Sequence, residues 1–113
     1  MMKEIIMKEI GIMNYNILIL YMPYNITKYT YDKAKKLGVD IKHSTNKTKK
    51  IDVYKKGKKV CSIGAYGMND FPTYIQLKGL EYAKTRRRLY RIRHTRDRRV
   101  KGSCGWYADK LLW

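Results

Sequence analysis

The chain has 113 residues, with 26 Lys and Arg against 9 Asp and Glu, a net charge of +17 and a pI near 10.0. That length accommodates one small domain with a modest core. So much uncompensated charge exceeds what solubility requires and points to an anionic partner: nucleic acid, an anionic membrane or an acidic protein surface.

Residues 1–21 differ in character from the rest. The apolar run Ile17–Tyr21 is far too short to span a bilayer, which takes about 20 residues. Glu4 and Glu9 interrupt the start and no small-residue cleavage site follows, so a signal peptide is a poor fit. Two readings stay open: an extra strand or helix packed on the domain, or residues not normally translated. Met22 is the favoured start, which divides the chain into an extension, 1–21, and a basic domain, 22–113.

From Met22 the pattern becomes orderly. Thr30 is placed to cap a short helix over Tyr31–Leu37, with Gly38 at its left-handed end. Val39-Asp40-Ile41 alternates like a brief strand, and 43–50 is polar and without period, hence a loop. Strands at Ile51–Tyr54 and Lys59–Ile63 flank Lys55-Lys56-Gly57-Lys58, where Gly57 supplies the positive φ of a tight hairpin turn.

Asn69 or Asp70 can cap the next helix, which Pro72 helps to start. Phe71, Tyr74, Ile75, Tyr82, Leu89 and Ile92 then fall on one stripe at 3.6 residues per turn, with Lys84, Arg87, Arg88 and Arg91 roughly opposite. Gly79 lies inside the pattern and costs about 1 kcal/mol relative to Ala, so a bend or break is expected there. Residues 101–105 read as a turn. Trp106–Trp113 is so apolar that it must pack on the hairpin or the long helix. The expected fold is α+β: a small antiparallel sheet centred on a hairpin, a long arginine-rich helix and short terminal helices.

Signals for catalysis are thin. His43 and His94 lie in a polar loop and an arginine run and read as surface histidines, and no Cys or His spacing suggests zinc. Gly64-x-x-Gly67 lacks the residues of a phosphate loop or a dinucleotide fingerprint. Asp52, Asp70, Glu81, Asp97 and Asp109 are scattered, and salt bridges to nearby Lys or Arg are their expected role. Neither an enzyme nor a cofactor or metal site is expected. Cys61 and Cys104 could form one disulfide, which spacing alone does not show, but reduced thiols of a protein that is not secreted are the expectation. The Asn25 and Asn46 glycosylation patterns are read as chance matches.

Binding signals are stronger. The run 84–101 is dense in arginine, and its apolar residues Leu89, Tyr90 and Ile92 give it a way to dock on a core with its guanidinium groups outward. Arg86, Arg87, Arg88, Arg91, Arg93, Arg96, Arg98 and Arg99 are the candidate phosphate contacts, assisted by Lys49, Lys50, Lys55, Lys56, Lys58 and Lys59 from the hairpin region. Tyr24, Tyr29, Tyr31, Tyr54 and Tyr66 are available to stack on bases, although core packing is the better expectation for any one of them.

The segments Lys50–Gly64, Asp70–Tyr74, Arg86–His94 and Tyr107–Trp113 together resemble a family of small basic proteins encoded by large nucleocytoplasmic DNA viruses. The resemblance covers about residues 22–113 and omits the first 21. It implies a viral origin and a place in the virion or the viral factory, in host cytoplasm or nucleus. The family has no established activity, so no functional residue is carried over. Separately, Tyr31–Lys50 weakly resembles the first half of a SAP-type DNA-binding motif.

The leading expectation is sequence-nonspecific binding of nucleic acid, DNA favoured over RNA, by phosphate neutralisation. The competitor is a minor virion structural protein bridging acidic capsid or core surfaces. The shape of the charge discriminates them: one continuous basic track for the first, and basic patches separated by exposed apolar surface for the second.

Overall fold

The structure, a computed structural model, describes residues 24–113; the extension 1–21 and the Met22 start lie outside the described residues. The fold is α+β. Helix α1 (Lys28–Leu37) leads into an antiparallel sheet of β1 (Asp40–His43), β2 (Lys49–Lys55) and β3 (Lys58–Ala65), in that spatial order. Helices α2 (Phe71–Lys78) and α3 (Leu80–Arg93), a single 3₁₀ turn (Asp97–Arg99) and α4 (Cys104–Leu112) complete it. Among the described residues no helix is long and apolar enough to cross a membrane.

Local chemistry explains most boundaries. α1 starts one turn earlier than expected because Thr27, not Thr30, is its cap; the Thr27 hydroxyl accepts from the Thr30 amide at 3.3 Å. Gly38 closes it at φ 72°, its N–H reaching the carbonyls of Ala34 and Lys35. β2 and β3 are joined through Lys56 and Gly57, both at positive φ (52° and 77°), with Lys55 opposite Lys58. That is the hairpin turn whose twist matches the flanking strands. Asp70 caps α2, its carboxylate accepting from the Thr73 amide at 3.1 Å, and Ser103 caps α4 likewise through the Trp106 amide. The expected turn over 101–105 is therefore shorter, since Cys104 and Gly105 are already helical.

Gly79 breaks the long helix outright, at φ 88° and ψ 167°. The break resets the rotational phase, so the single inward stripe does not continue. Phe71 is buried, but Tyr82, Leu89 and Ile92 are 44%, 37% and 60% exposed, and Ala83 and Tyr90 face the core instead.

Ile41, Ile51, Val53, Cys61 and Ile63 line the sheet's core face, and Ala34, Val39, Tyr107, Leu111 and Leu112 belong to the same cluster. The C-terminal segment is locked as expected. Trp113 is buried and stacks on Tyr90 with centroids 4.3 Å apart and planes within 10°, and its carbonyl accepts from the Tyr29 hydroxyl. Burial, with the nearby Asp109 and Asp97 charges, pushes the Tyr90 phenol up to about 12, so it packs as a neutral ring.

The thiol expectation is overturned. Cys61 in β3 and Cys104 at the start of α4 form a disulfide with Cα atoms 5.6 Å apart. The strand and helix are brought together by tertiary packing, which a spacing of 43 residues does not reveal. The opposite side of β2 is polar yet buried. Asp52 accepts from the Ser44 and Ser62 hydroxyls at 2.7 and 2.6 Å, from the Thr45 amide, and lies 3.3 Å from Lys59 Nζ. Burial pushes its carboxyl up, but these donors outweigh burial and hold it well below the usual carboxylate range.

Replacing Cys61 by Ala and Cys104 by Ser should lower unfolding free energy by about 4 kcal/mol, the loop-closure value for a span of this length; full denaturation curves with m fitted separately for each protein would measure it. A depressed native pKa also ties stability to pH in one direction. The Asp52 contribution is complete above the unfolded carboxylate value of about 3.9 and is lost as pH falls below it. Asp52→Asn should therefore be less stable at pH 7 yet show a shallower loss between about pH 4 and pH 2, read from urea midpoints at each pH.

Candidate nucleic-acid interface

Helix α3 carries basic residues on two nearly opposite sides. At 100° per residue, Arg86, Tyr90 and Arg93 share one side, and Lys84, Arg88 and Arg91 share the other. The first side borders a cleft of about 640 Å³ that also touches Lys49, Gly64, Asp70 and Trp113. The second side joins Arg87, Thr95, Arg98 and Arg99 around an open groove of about 450 Å³.

The groove is built on a buried acid. Asp109 of α4, 2% exposed, accepts from Arg91 Nε at 3.2 Å and lies 3.8 Å from Arg98 Nη1. One carboxylate thus holds two groove arginines, one from α3 and one from the turn after it. Arg87 lies over the Phe71 ring at 4.1 Å and Arg86 over Tyr74 at 5.5 Å, positions that fix their planes without consuming their donors. The Nε groups of Arg86 and Arg98 are buried and have no acceptor among the described residues. Arg88 and Arg99 are exposed, and Lys84 makes only a solvent-exposed pair with Glu81 at 3.5 Å. Such a pair is worth little and leaves the lysine free to exchange partners.

The expected contacts divide accordingly. Arg87, Arg88, Arg91, Arg98 and Arg99 meet in the groove; Arg86 and Arg93 face the cleft; Arg96 is exposed beside them. Lys50 must be withdrawn as a phosphate contact. It is 5% exposed, with Nζ 3.0 Å from Asp70 and 4.7 Å from the Tyr24 ring centre, and Tyr24 also donates its hydroxyl to Asp70. Its place on the central strand, with that face covered, makes its ammonium structural. Lys59 is partly committed to Asp52. Lys55, Lys56 and Lys58 are exposed at the hairpin tip, at the far end of β2 from Lys49. The basic residues therefore form separate surfaces, not one track.

Among the tyrosines, Tyr24 and Tyr29 are committed to packing, Tyr29 against Phe71 at 5.5 Å. Tyr31 and Tyr54 instead border a hollow beside the hairpin turn with Lys35, Lys42 and Gly57. No known protein family, characterised protein or solved structure matches the chain. Among the described residues, no group of three or more His, Cys, Asp or Glu is placed to hold a metal ion.

Two participants were not among the candidate contacts, although Asp109 was expected to pair with Lys or Arg, as it does, and Lys84 to share a face with Arg87, Arg88 and Arg91. Asp109 organises the groove, and its signal was legible: a lone acid inside the apolar end 106–113 is buried and needs cationic partners. Lys84 joins the groove through its place one turn before Arg87 and Arg88.

Asp109→Ala should cost about 1.5–3 kcal/mol, the range for hydrogen bonds to a charged group. It also leaves the groove arginines repelling one another, so the cost should shrink as salt is raised from about 10 mM to about 1 M. Denaturation of both proteins across a salt series checks the sign.

Proposed function

We propose that the domain binds nucleic acid, duplex DNA in the first place, without regard to sequence, by seating the phosphate backbone in the groove of α3 and the following turn. The observation that carries this reading is a groove with six cationic side chains, Lys84, Arg87, Arg88, Arg91, Arg98 and Arg99, whose ion-pair partners are the exposed Glu81 and the buried Asp109. Their excess charge requires anions from outside the chain. Guanidinium groups suit phosphate because two parallel N–H donors match two of its oxygens. Affinity comes from releasing the counterions condensed on the polymer, and phosphate contacts carry no base information. The resemblance to basic proteins of large DNA viruses supports a setting in a virion or viral factory.

A second reading has its own support. Tyr82, Leu89 and Ile92 leave exposed apolar surface on α3 among the arginines, and the basic surfaces are separate. Both features suit an acidic protein partner, as in a virion component bridging capsid or core surfaces.

Salt dependence separates the two. With about 5–8 phosphates neutralised, log affinity for duplex DNA should fall linearly with log salt at a slope of roughly −4 to −7. Changing Lys84, Arg88 and Arg99 together to Gln removes charges that do not hold the fold. Melting should be unchanged or raised, binding should weaken alike on every duplex sequence, and the slope should shrink by about 2–3 units. Unchanged affinity and slope, measured by gel shift on duplex DNA, duplex RNA and single strands, would transfer the assignment to the acidic protein partner.

A further inference from the structure

We propose that the domain is a two-site bridge: the arginine groove holds one duplex while the lysine hairpin tip, with Tyr31 and Tyr54 beside it, holds a second. The proposal rests on the nucleic-acid reading above and extends it to the arrangement of two duplexes by one chain.

Placement of the two surfaces is the first support. Lys49, at the start of β2, lines the same cleft as Arg86 and Arg93 of α3. The hairpin turn lies at the opposite end of that strand, seven residues away, which is about 20 Å at 3.3 Å per residue. The groove opens on the side of α3 turned away from the cleft, across a helix diameter of roughly 10 Å. The hollow beside the tip and the groove share no lining residue, so the two basic surfaces are distinct.

Chemistry at the tip is the second support. Lys55, Lys56 and Lys58 are exposed and have no acidic partner in any salt bridge of the described residues. Lys35 and Lys42 border the adjoining hollow with one acid, Asp40, and Lys42 lies 5.1 Å from the Tyr54 ring centre. Tyr31, 49% exposed, completes a surface that combines mobile ammonium groups with aromatic faces. Lysine suits this role: a compact charge on a flexible stem follows a backbone without a fixed orientation. Two duplexes brought close repel each other, and cations on two distinct surfaces of a small domain offset that repulsion.

The test uses the full chain and two populations of a duplex of about 12 base pairs, one carrying a donor dye and the other an acceptor. The wild type should bind two duplexes per chain and give energy transfer between them. Lys55→Gln/Lys56→Gln/Lys58→Gln and Lys84→Gln/Arg88→Gln/Arg99→Gln should each bind one and lose the transfer, while melting as the wild type does. Saturation at one duplex per chain without transfer overturns the bridge and leaves the groove reading standing. Transfer that persists in the hairpin variant overturns it too, because bridging would then arise from self-association of chains with one site each. Failure to bind any duplex overturns both readings together.

Discussion

The fold depends on the burial of Asp109. Its carboxylate sits 2% exposed on α4, and among the described residues its ion-pair partners are Arg91 and Arg98. An isolated buried charge is far too costly to persist, so the arginine-bearing elements must close on α4 or the helix cannot dock. The same helix is tied to β3 by the Cys104 disulfide and carries on into Trp113, which stacks on Tyr90 of α3. α4 therefore joins the sheet to the arginine layer, and its three attachments use three different interactions. Asp70 does similar work elsewhere, joining the cap of α2, Lys50 of β2 and Tyr24.

Burying acids has an electrostatic consequence. Of only 9 acidic residues, Asp52, Asp70 and Asp109 lie inside, each with cationic or hydroxyl donors. Acids spent on the interior offset few charges at the surface, so the exposed face is more uniformly positive than composition alone suggests. Self-repulsion of that face works against compactness, and a polyanion removes it. Binding and stability are then linked: a ligand that binds the folded groove also relieves the strain of holding arginines together.

Elements governed by neighbouring residues were legible in the sequence. Lys-Gly between alternating strands predicts the hairpin, Gly38 the end of α1, Asp70 with Pro72 the start of α2, and the apolar 106–113 its own burial. What depended on tertiary packing was not. The period of the apolar stripe carried correctly from Phe71 to Ile75, then failed because Gly79 rotates the next helix about its axis. Lys50 reads as a surface lysine from its basic neighbours. It is buried because β2 is central and both of its faces are covered, which no local pattern encodes. The disulfide was hidden for the same reason, since Cys61 and Cys104 approach only when α4 docks.

The division of labour between arginine and lysine follows from this layout. Arginines in the groove can serve two surfaces at once, because a planar group gives one edge to Asp109, or a face to Phe71, and keeps further N–H donors uncommitted. A lysine held as Lys50 is held, buried between Asp70 and Tyr24, has its charge consumed. The hairpin tip has no core beneath Lys55, Lys56 and Lys58, so nothing needs to be shared and a simple ammonium suffices. Structural duty thus selects arginine where the basic surface is part of the fold. Freedom from it permits lysine where the surface projects. The groove is accordingly preorganised and the tip is adaptable, a difference that the architecture imposes before any ligand arrives.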